Sequence, residues 1–290
     1  MLIRPIEDHE YEELRQVWCD TFGDDPVFVD ELYYAMHAHG LTFENEGVLH
    51  SFLTLFQAGT FQGKPVLVSY GICTKPESRG KGYGGELVDA IRQKVNEAGA
   101  ISVVCPAEAS LVEFYMQHGY QIGYYAKNDD AEAAELDVPI ELRVSMLTAA
   151  EYNRFREAFL LEVPHVTYDE EFLEFIRRDS VNGQGLLLVN DGDAICALNY
   201  GTDEEMGFSE LIVNPALAEV TSEIGGQIAA GLAKMFDVEK CYFRSPTYIV
   251  YTDEGGDHLS NGSYVQTMVS GIDIDIDEAA MLPYYGFPID

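Results

Sequence analysis

Residues Glu77–Leu87 read ESRGKGYGGEL, with glycines at 80, 82, 84 and 85 and cations at Arg79 and Lys81. A strand-like run, PVLVSYGICT, ends just before it at Thr74, and a helix-like run, ELVDAIRQKVNEAG, follows from Glu86. A helix N-terminus leaves its first amide N–H groups unpaired and carries the positive end of the helix dipole. Such an end is a ready phosphate site. Glycines let backbone approach closely because no Cβ stands in the way, and Arg79 and Lys81 add charge-assisted hydrogen bonds. The stretch is therefore read as an anion cradle at the junction of a strand and a helix, which places the chain in the α/β class.

The surroundings sharpen that reading. The 290 residues carry 17 Lys and Arg against 50 Asp and Glu, a net charge of −33. This field keeps a protein in solution, repels nucleic acid and anionic membrane, and attracts small cations. Against it, Lys75, Arg79 and Lys81 form a local basic spot, which suggests one specific anion. Apolar residues make up 47% and aromatics 12% of the chain, enough for a sizeable core. No apolar run approaches the roughly 18 residues of a membrane span, and MLIRPIEDHE lacks the basic-then-apolar pattern of a signal peptide. Five cysteines, at 19, 73, 105, 196 and 241, show no Cys-x-x-Cys spacing. They read as free thiols in a reducing cytosol, with no structural metal.

The chain repeats itself. Asn45-Glu46-Gly47 and Asn190-Asp191-Gly192 are turn signals 145 residues apart, and Gly84-Gly85 and Gly225-Gly226 head helices 141 apart. Pro76 and Pro215 are 139 apart, and Pro106 and Pro246 are 140 apart. An ordered series with so little drift implies two copies of one plan. The polar, acidic stretch KNDDAEAAELDVP suits a linker or solvated hairpin, so the expected domains are 1–140 and 141–290. Each reads as a short strand, one or two helices (8–21 and 26–38; about 148–160 and 169–179), hairpin-like strands (41–45, 48–61, 65–74; 185–190, 194–201, 206–213), a glycine-led helix (83–98; 217–236), a buried strand (100–105; 240–244) and a strand-like end (120–126; 263–275). The copies differ at the cradle. Arg79-Gly-Lys-Gly-Tyr-Gly-Gly faces Val220-Thr-Ser-Glu-Ile-Gly-Gly, with Glu223 opposite Gly82. A carboxylate there repels the anion, so only the first copy is expected to bind it.

Three nucleotide loops compete. A Walker A loop needs Gly-Lys-Ser/Thr, which neither Gly63-Lys64-Pro65 nor Gly80-Lys81-Gly82 supplies. Gly80-x-Gly82-x-x-Gly85 satisfies the dinucleotide fingerprint literally and leaves an NAD-dependent oxidoreductase as a rival. That fingerprint wants its turn directly after the strand, however, and here Lys75–Arg79 intervenes. The third loop fits best. Arg79-x-x-Gly82-x-Gly84, after a strand and before an amphipathic helix, resembles the coenzyme A pyrophosphate loop of the GNAT (GCN5-related) N-acetyltransferases, whose pattern is Arg/Gln-x-x-Gly-x-Gly/Ala. Downstream, Phe114-Tyr115-Met-Gln-His-Gly119-Tyr120 resembles the family's Tyr-x-x-x-Gly-Phe/Tyr segment. The resemblance covers residues 2 to about 126, and the second half resembles the same fold with a degenerate loop, as in distantly Eis-like tandem members.

The resemblance implies a mixed α/β fold of two tandem GNAT-like domains. It implies acetyl-CoA as cosubstrate, with amides of Gly80, Lys81, Gly82, Tyr83 and Gly84 and the Arg79 side chain around the pyrophosphate, and Ile72, Cys73 and Thr74 pairing by backbone with the pantetheine arm, a form of strand addition. The implied reaction is direct attack by a neutral primary amine on the thioester, with Tyr115 in the family's general-acid position. An ordinary phenol, with a pKa of about 10, is close to a thiol; the plainer role for Tyr115 is packing. Glu108 stands where many members carry Asn, and reads either as a base or as a carboxylate at a helix N-terminus. Asp290 is the second candidate base, by analogy with C-terminal carboxylates in Eis-type enzymes. His50 and His118 read as structural, and Cys73 as a buried neutral thiol. The acidic surface favours a small cationic acceptor. A non-catalytic acyl-CoA-binding module is the first alternative.

Overall fold

The computed structural model describes residues 1–126, 129–135, 142–161, 163–180, 185–217, 222–245 and 264–272. The chain forms two compact units, the first of Met1–Gly123 with Thr267–Ile274 and the second built on Tyr124–Gln266.

The first unit opens with β1 (Leu2–Pro5) and two helices, α1 (Tyr11–Phe22) and α2 (Pro26–Ala35). Leu14 and Trp18, four residues apart on α1, share one buried face. Gly23, left-handed at φ +82, ends that helix, and Asp25 caps α2 by accepting from the Val27 amide. Three long antiparallel strands follow: β2 (His39–Asn45), β3 (Val48–Phe61) and β4 (Lys64–Thr74). Both connections are two-residue turns with positive φ at each central position, Glu46-Gly47 and Gln62-Gly63, the geometry that matches strand twist. Then come α3 (Tyr83–Glu97), β5 (Ile101–Val104), α4 (Ser110–Gln117) and β6 (Gln121–Ala126). Leu87, Ile91 and Val95 of α3 pack on Leu41, Phe43 and Leu53 of the sheet. Each such buried side chain contributes roughly 1.5–3 kcal/mol.

The sheet order is β1-β2-β3-β4-β5-β14-β6, where β14 is Tyr264–Ser270. β4 and β5 run parallel, and β14 is antiparallel to β5. A single cut near residue 140 therefore does not separate the units. The last described strand of the chain completes the first sheet, whereas β7 (Asp129–Glu132), directly after β6, belongs to the second.

The second unit adds β8 (Val144–Met146), α5 (Ala149–Phe159), β9 (Thr167–Tyr168), α6 (Glu170–Asp179), β10 (Leu186–Val189), β11 (Ala194–Gly201), β12 (Glu205–Val213), α7 (Ser222–Met235) and β13 (Lys240–Phe243). Its sheet runs β7-β13-β12-β11-β10-β8, with β12 and β13 parallel. Ile228, Ala229 and Leu232 of α7 share a core with Cys196, Phe208 and Leu211. On the other side of this core, Arg156 and Glu210 form a fully buried ion pair, Nε to Oε1 3.1 Å, and the Tyr152 hydroxyl donates to Glu210 at 2.7 Å.

Candidate active site

The two parallel strands of the first sheet part company. β4 and β5 are registered from Val66↔Ile101 to Val68↔Val103, and β4 then continues through Ser69–Thr74 without a β5 partner among the described residues. On its other side β4 keeps pairing with β3, but unevenly. Phe52 faces Cys73 and Thr54 faces Tyr70, so Leu53 alone opposes Gly71 and Ile72. Gly71, at φ +60, is the left-handed residue of this β-bulge. The extra residue switches faces. Leu67 and Ile72, an odd number apart, both pack against the core cluster under α3, which an unbulged strand forbids. Thr74 follows on that same side, with its hydroxyl 2.9 Å from that of Ser51.

Beyond Thr74, Pro76–Ser78 make one short 3₁₀ turn. His50 holds it from below, its Nδ1 2.7 Å from the Ser78 hydroxyl. Gly80 and Gly82 are both left-handed, at φ +75 and +83, and Gly82 is the N-cap of α3. A Cβ at either would meet nothing within 4 Å, so backbone conformation rather than crowding selects glycine there. The amides of Gly80 to Gly84 have no hydrogen-bond partner among the described residues; the first bond into the helix is Glu86 N–H to Gly82 C=O, 3.0 Å. Gly84 and Gly85 answer different needs. A Cβ on Gly84 would stand 3.1 Å from the Thr74 hydroxyl, and one on Gly85 would be driven to 2.6 Å from the His118 ring.

The side chains divide. Lys81 is exposed, whereas Arg79 turns its Nε onto the Thr74 carbonyl at 3.0 Å, fixing a cation at the end of β4. Lys75 is engaged by the Glu13 carboxylate. Tyr83 is half-buried and packs against the core: its ring stacks on Phe43 at 4.7 Å and sits 4.6 Å from His50. Cys73 is 2% exposed, and burial pushes its thiol up to about 12 against the opposing pull of Arg79. It is a neutral thiol at ordinary pH.

Tyr115 is buried on α4, near Cys105, with its ring edge-on to that of Tyr120 at 5.9 Å. Burial raises its phenol above the ordinary value, with smaller contributions from Tyr120 and Cys105. The proton is held throughout the physiological range, but the near-match to a thiol expected of a free phenol is lost. Glu108 is exposed just ahead of α4 and accepts from the Ser110 hydroxyl at 2.5 Å. His118 bonds Asp89 at 2.8 Å, tying α4 to α3. Asp290 lies outside the described residues. Among those described, no group of three or more His, Cys, Asp or Glu could hold a metal ion, and no helix is long and apolar enough to cross a membrane.

In the second unit the corresponding strands stay joined. The Leu211 amide donates to the Arg244 carbonyl at 2.7 Å and the Arg244 amide to the Phe208 carbonyl at 3.1 Å, extending the β12/β13 pairing past its last registered pair. Of the degenerate loop, Val220 and Thr221 lie outside the described residues.

A split between parallel strands, with a glycine-capped helix at its mouth, differs from a dinucleotide fold, where the fingerprint follows the first strand of a parallel sheet; here three antiparallel strands, β2, β3 and β4, precede the loop. Residues 39–122 match the family model of the acetyltransferase (GNAT) domain. Over those residues the chain is similar to a GNAT domain. Solved structures agree on the fold over nearly the whole chain. A GCN5-related N-acetyltransferase from Kribbella flavida is 18% identical with a TM-score of 0.64, over 92% of this chain and 70% of that one. Eis1 from Mycobacterium abscessus is 16% identical with a TM-score of 0.58, over 97% and 76%. A tandem GNAT protein from the clavulanic acid biosynthesis pathway is 12% identical with a TM-score of 0.52, over 94% and 99%. No curated protein matches the chain in sequence. The GNAT fold supports transfer of an acyl group from an acyl-coenzyme A to an amine. Two features escaped the sequence reading, the Gly71 bulge and the joining of β14. An isolated glycine within a strand pattern was the available signal for the first.

Proposed function

We propose that the chain is an N-acetyltransferase that moves an acetyl group from acetyl-CoA to a primary amine on a small cationic acceptor. The observation that carries this reading is the set of amides at Gly80–Gly84 without a partner among the described residues, at the head of α3 and beside the edge of β4 that no described strand pairs. In this reading those amides and Arg79 bind the pyrophosphate, and the backbone of Ile72–Thr74 pairs with the pantetheine arm. The amine nitrogen attacks the thioester carbonyl carbon; the C–N bond forms and the C–S bond breaks. The departing thiolate takes the Tyr115 proton, a transfer that burial of the phenol makes less favourable than from a free one, and the amine's surplus proton passes to a carboxylate, with Glu108 and Asp290 as the two candidates. The carboxylate releases its proton to solvent, and Tyr115 takes one up from solvent, which closes the cycle. The second unit, whose parallel strands stay joined, takes no part in coenzyme binding in this reading. The net charge of −33 favours cationic acceptors. The five free cysteines support a cytosolic setting.

Calorimetry with coenzyme A, followed by an amine panel with acetyl-CoA monitored by released thiol, tests the proposal. Binding together with thiol release on particular amines is expected. Failure to bind coenzyme A refutes the whole reading, and binding without transfer to any amine leaves the non-catalytic module.

A further inference from the structure

The bulge in β4 is held from outside the strand. Trp18 of α1 is 1% exposed, and three atoms of its six-membered ring lie 2.2–2.4 Å from where a Cβ on Gly71 would stand. The indole thus fills the space that any side chain at Gly71 would need. It is braced by the rings of Tyr70 at 5.5 Å and Phe22 at 6.1 Å. Its N–H donates to Asp24 Oδ2 at 2.7 Å, fixing the ring's orientation as well as its depth. The joint sits at the residue where β4 changes face. If the bulge were lost, Ile72 and Thr74 would exchange faces with Cys73, and the unpaired edge would present different N–H and C=O groups.

We propose that Trp18, steadied by Asp24, is a positioning residue for acyl transfer: it pins the Gly71 bulge and so fixes how the Ile72–Thr74 edge is presented. The inference rests on the reading of that edge and the adjoining loop as the acyl-coenzyme A site. The chain has one tryptophan, so intrinsic tryptophan emission reports this joint alone.

The test combines calorimetry, tryptophan emission and amide hydrogen exchange on the full chain with coenzyme A as the probe. Emission should change saturably, with the midpoint found by calorimetry. Coenzyme A should slow exchange at both Ile72–Thr74 and Gly80–Gly84. In W18F and D24L the protection at Ile72–Thr74 should fall at least tenfold while that at Gly80–Gly84 persists; general destabilisation would reduce both together. D24N, whose amide oxygen can still accept the indole proton, should recover most of what D24L loses, and it provides a reading if W18F fails to fold. Coenzyme A binding with unchanged emission, or with native protection at Ile72–Thr74 in both W18F and D24L, overturns this inference and leaves the functional reading standing. Absence of coenzyme A binding removes both.

Discussion

Ending the chain at residue 140 should unfold the first unit, although the removed residues lie far from it in sequence. The cut takes away β14, which stands between β5 and β6 with three registered pairs to β5, from Met268↔Val104 to Ser270↔Ser102. Met268 and Val269 are 0% exposed, and burial of such side chains contributes roughly 1.5–3 kcal/mol each. Backbone groups of β5 lose their partners in the sheet interior, at about 1–3 kcal/mol for each left buried and unpaired. Anchors go as well: Asn96 donates to the Ser270 hydroxyl at 2.7 Å, Gln121 to the Ile272 carbonyl at 2.7 Å and Lys64 to the Gly271 carbonyl at 3.1 Å. The loss is comparable to the roughly 5–15 kcal/mol by which a domain is stable. Far-UV circular dichroism and urea titration of residues 1–140 should show no cooperative transition, and a peptide of residues 264–272 supplied in trans should restore part of it. Met268→Ala in the full chain calibrates the effect, at about 2–5 kcal/mol. A 1–140 chain that melts cooperatively at the native urea midpoint would refute the argument that β14 is integral to this sheet.

Gly82→Glu places in the first loop the residue that the second copy carries. A carboxylate about 4 Å from a phosphate charge costs roughly 4 kcal/mol at a surface dielectric near 20, so calorimetry should show coenzyme A affinity falling at least 100-fold in a chain that still folds. Tyr115→Phe should lower turnover by about 10²–10⁴ if the phenol is the general acid, with coenzyme A affinity within threefold of native; unchanged turnover in the thiol-release assay would reject that role. In the second unit, Glu210→Gln leaves Arg156 buried beside a neutral partner and should cost about 3–5 kcal/mol in urea titration, whereas replacing both by apolar residues should cost less. The Glu10 carboxyl is lowered from 4.5 to about 2, first by the Arg4 hydrogen bond. Its folded-state value lies below its unfolded one, so its contribution is full above pH about 4.5 and disappears as pH falls towards 2. Glu10→Gln should flatten the acid limb of stability in that window, and an unaltered limb would count against the pairing.

What the sequence revealed and what it hid differ in physical kind. Helix ends, turns and the glycine loop are local facts. Asp25-Pro26 starts α2, Gly23 stops α1, Glu46-Gly47 reverses the chain, and Gly80 to Gly84 present bare backbone, each by the conformational preference of the residues on the spot. Strand partnership is not local. β7 reads DDAE and buries only Ala131, because it is an edge strand exposed along most of its length, so its composition is that of a linker. β14 has the apolar residues of a sheet interior, but nothing within it names β5 as its neighbour. The same distinction runs through the site. Gly82 needs only its left-handed φ and its place before a helix, whereas Gly71, left-handed as well, and Gly85 have the space beside them occupied by Trp18 and His118, distant in sequence. Composition marks where bare backbone heads a helix; the packing of Trp18 of α1 on the Gly71 bulge of β4 is written in residues far from that loop. Selection on that second property would therefore act on residues, such as Trp18 and Asp24, that no loop pattern includes.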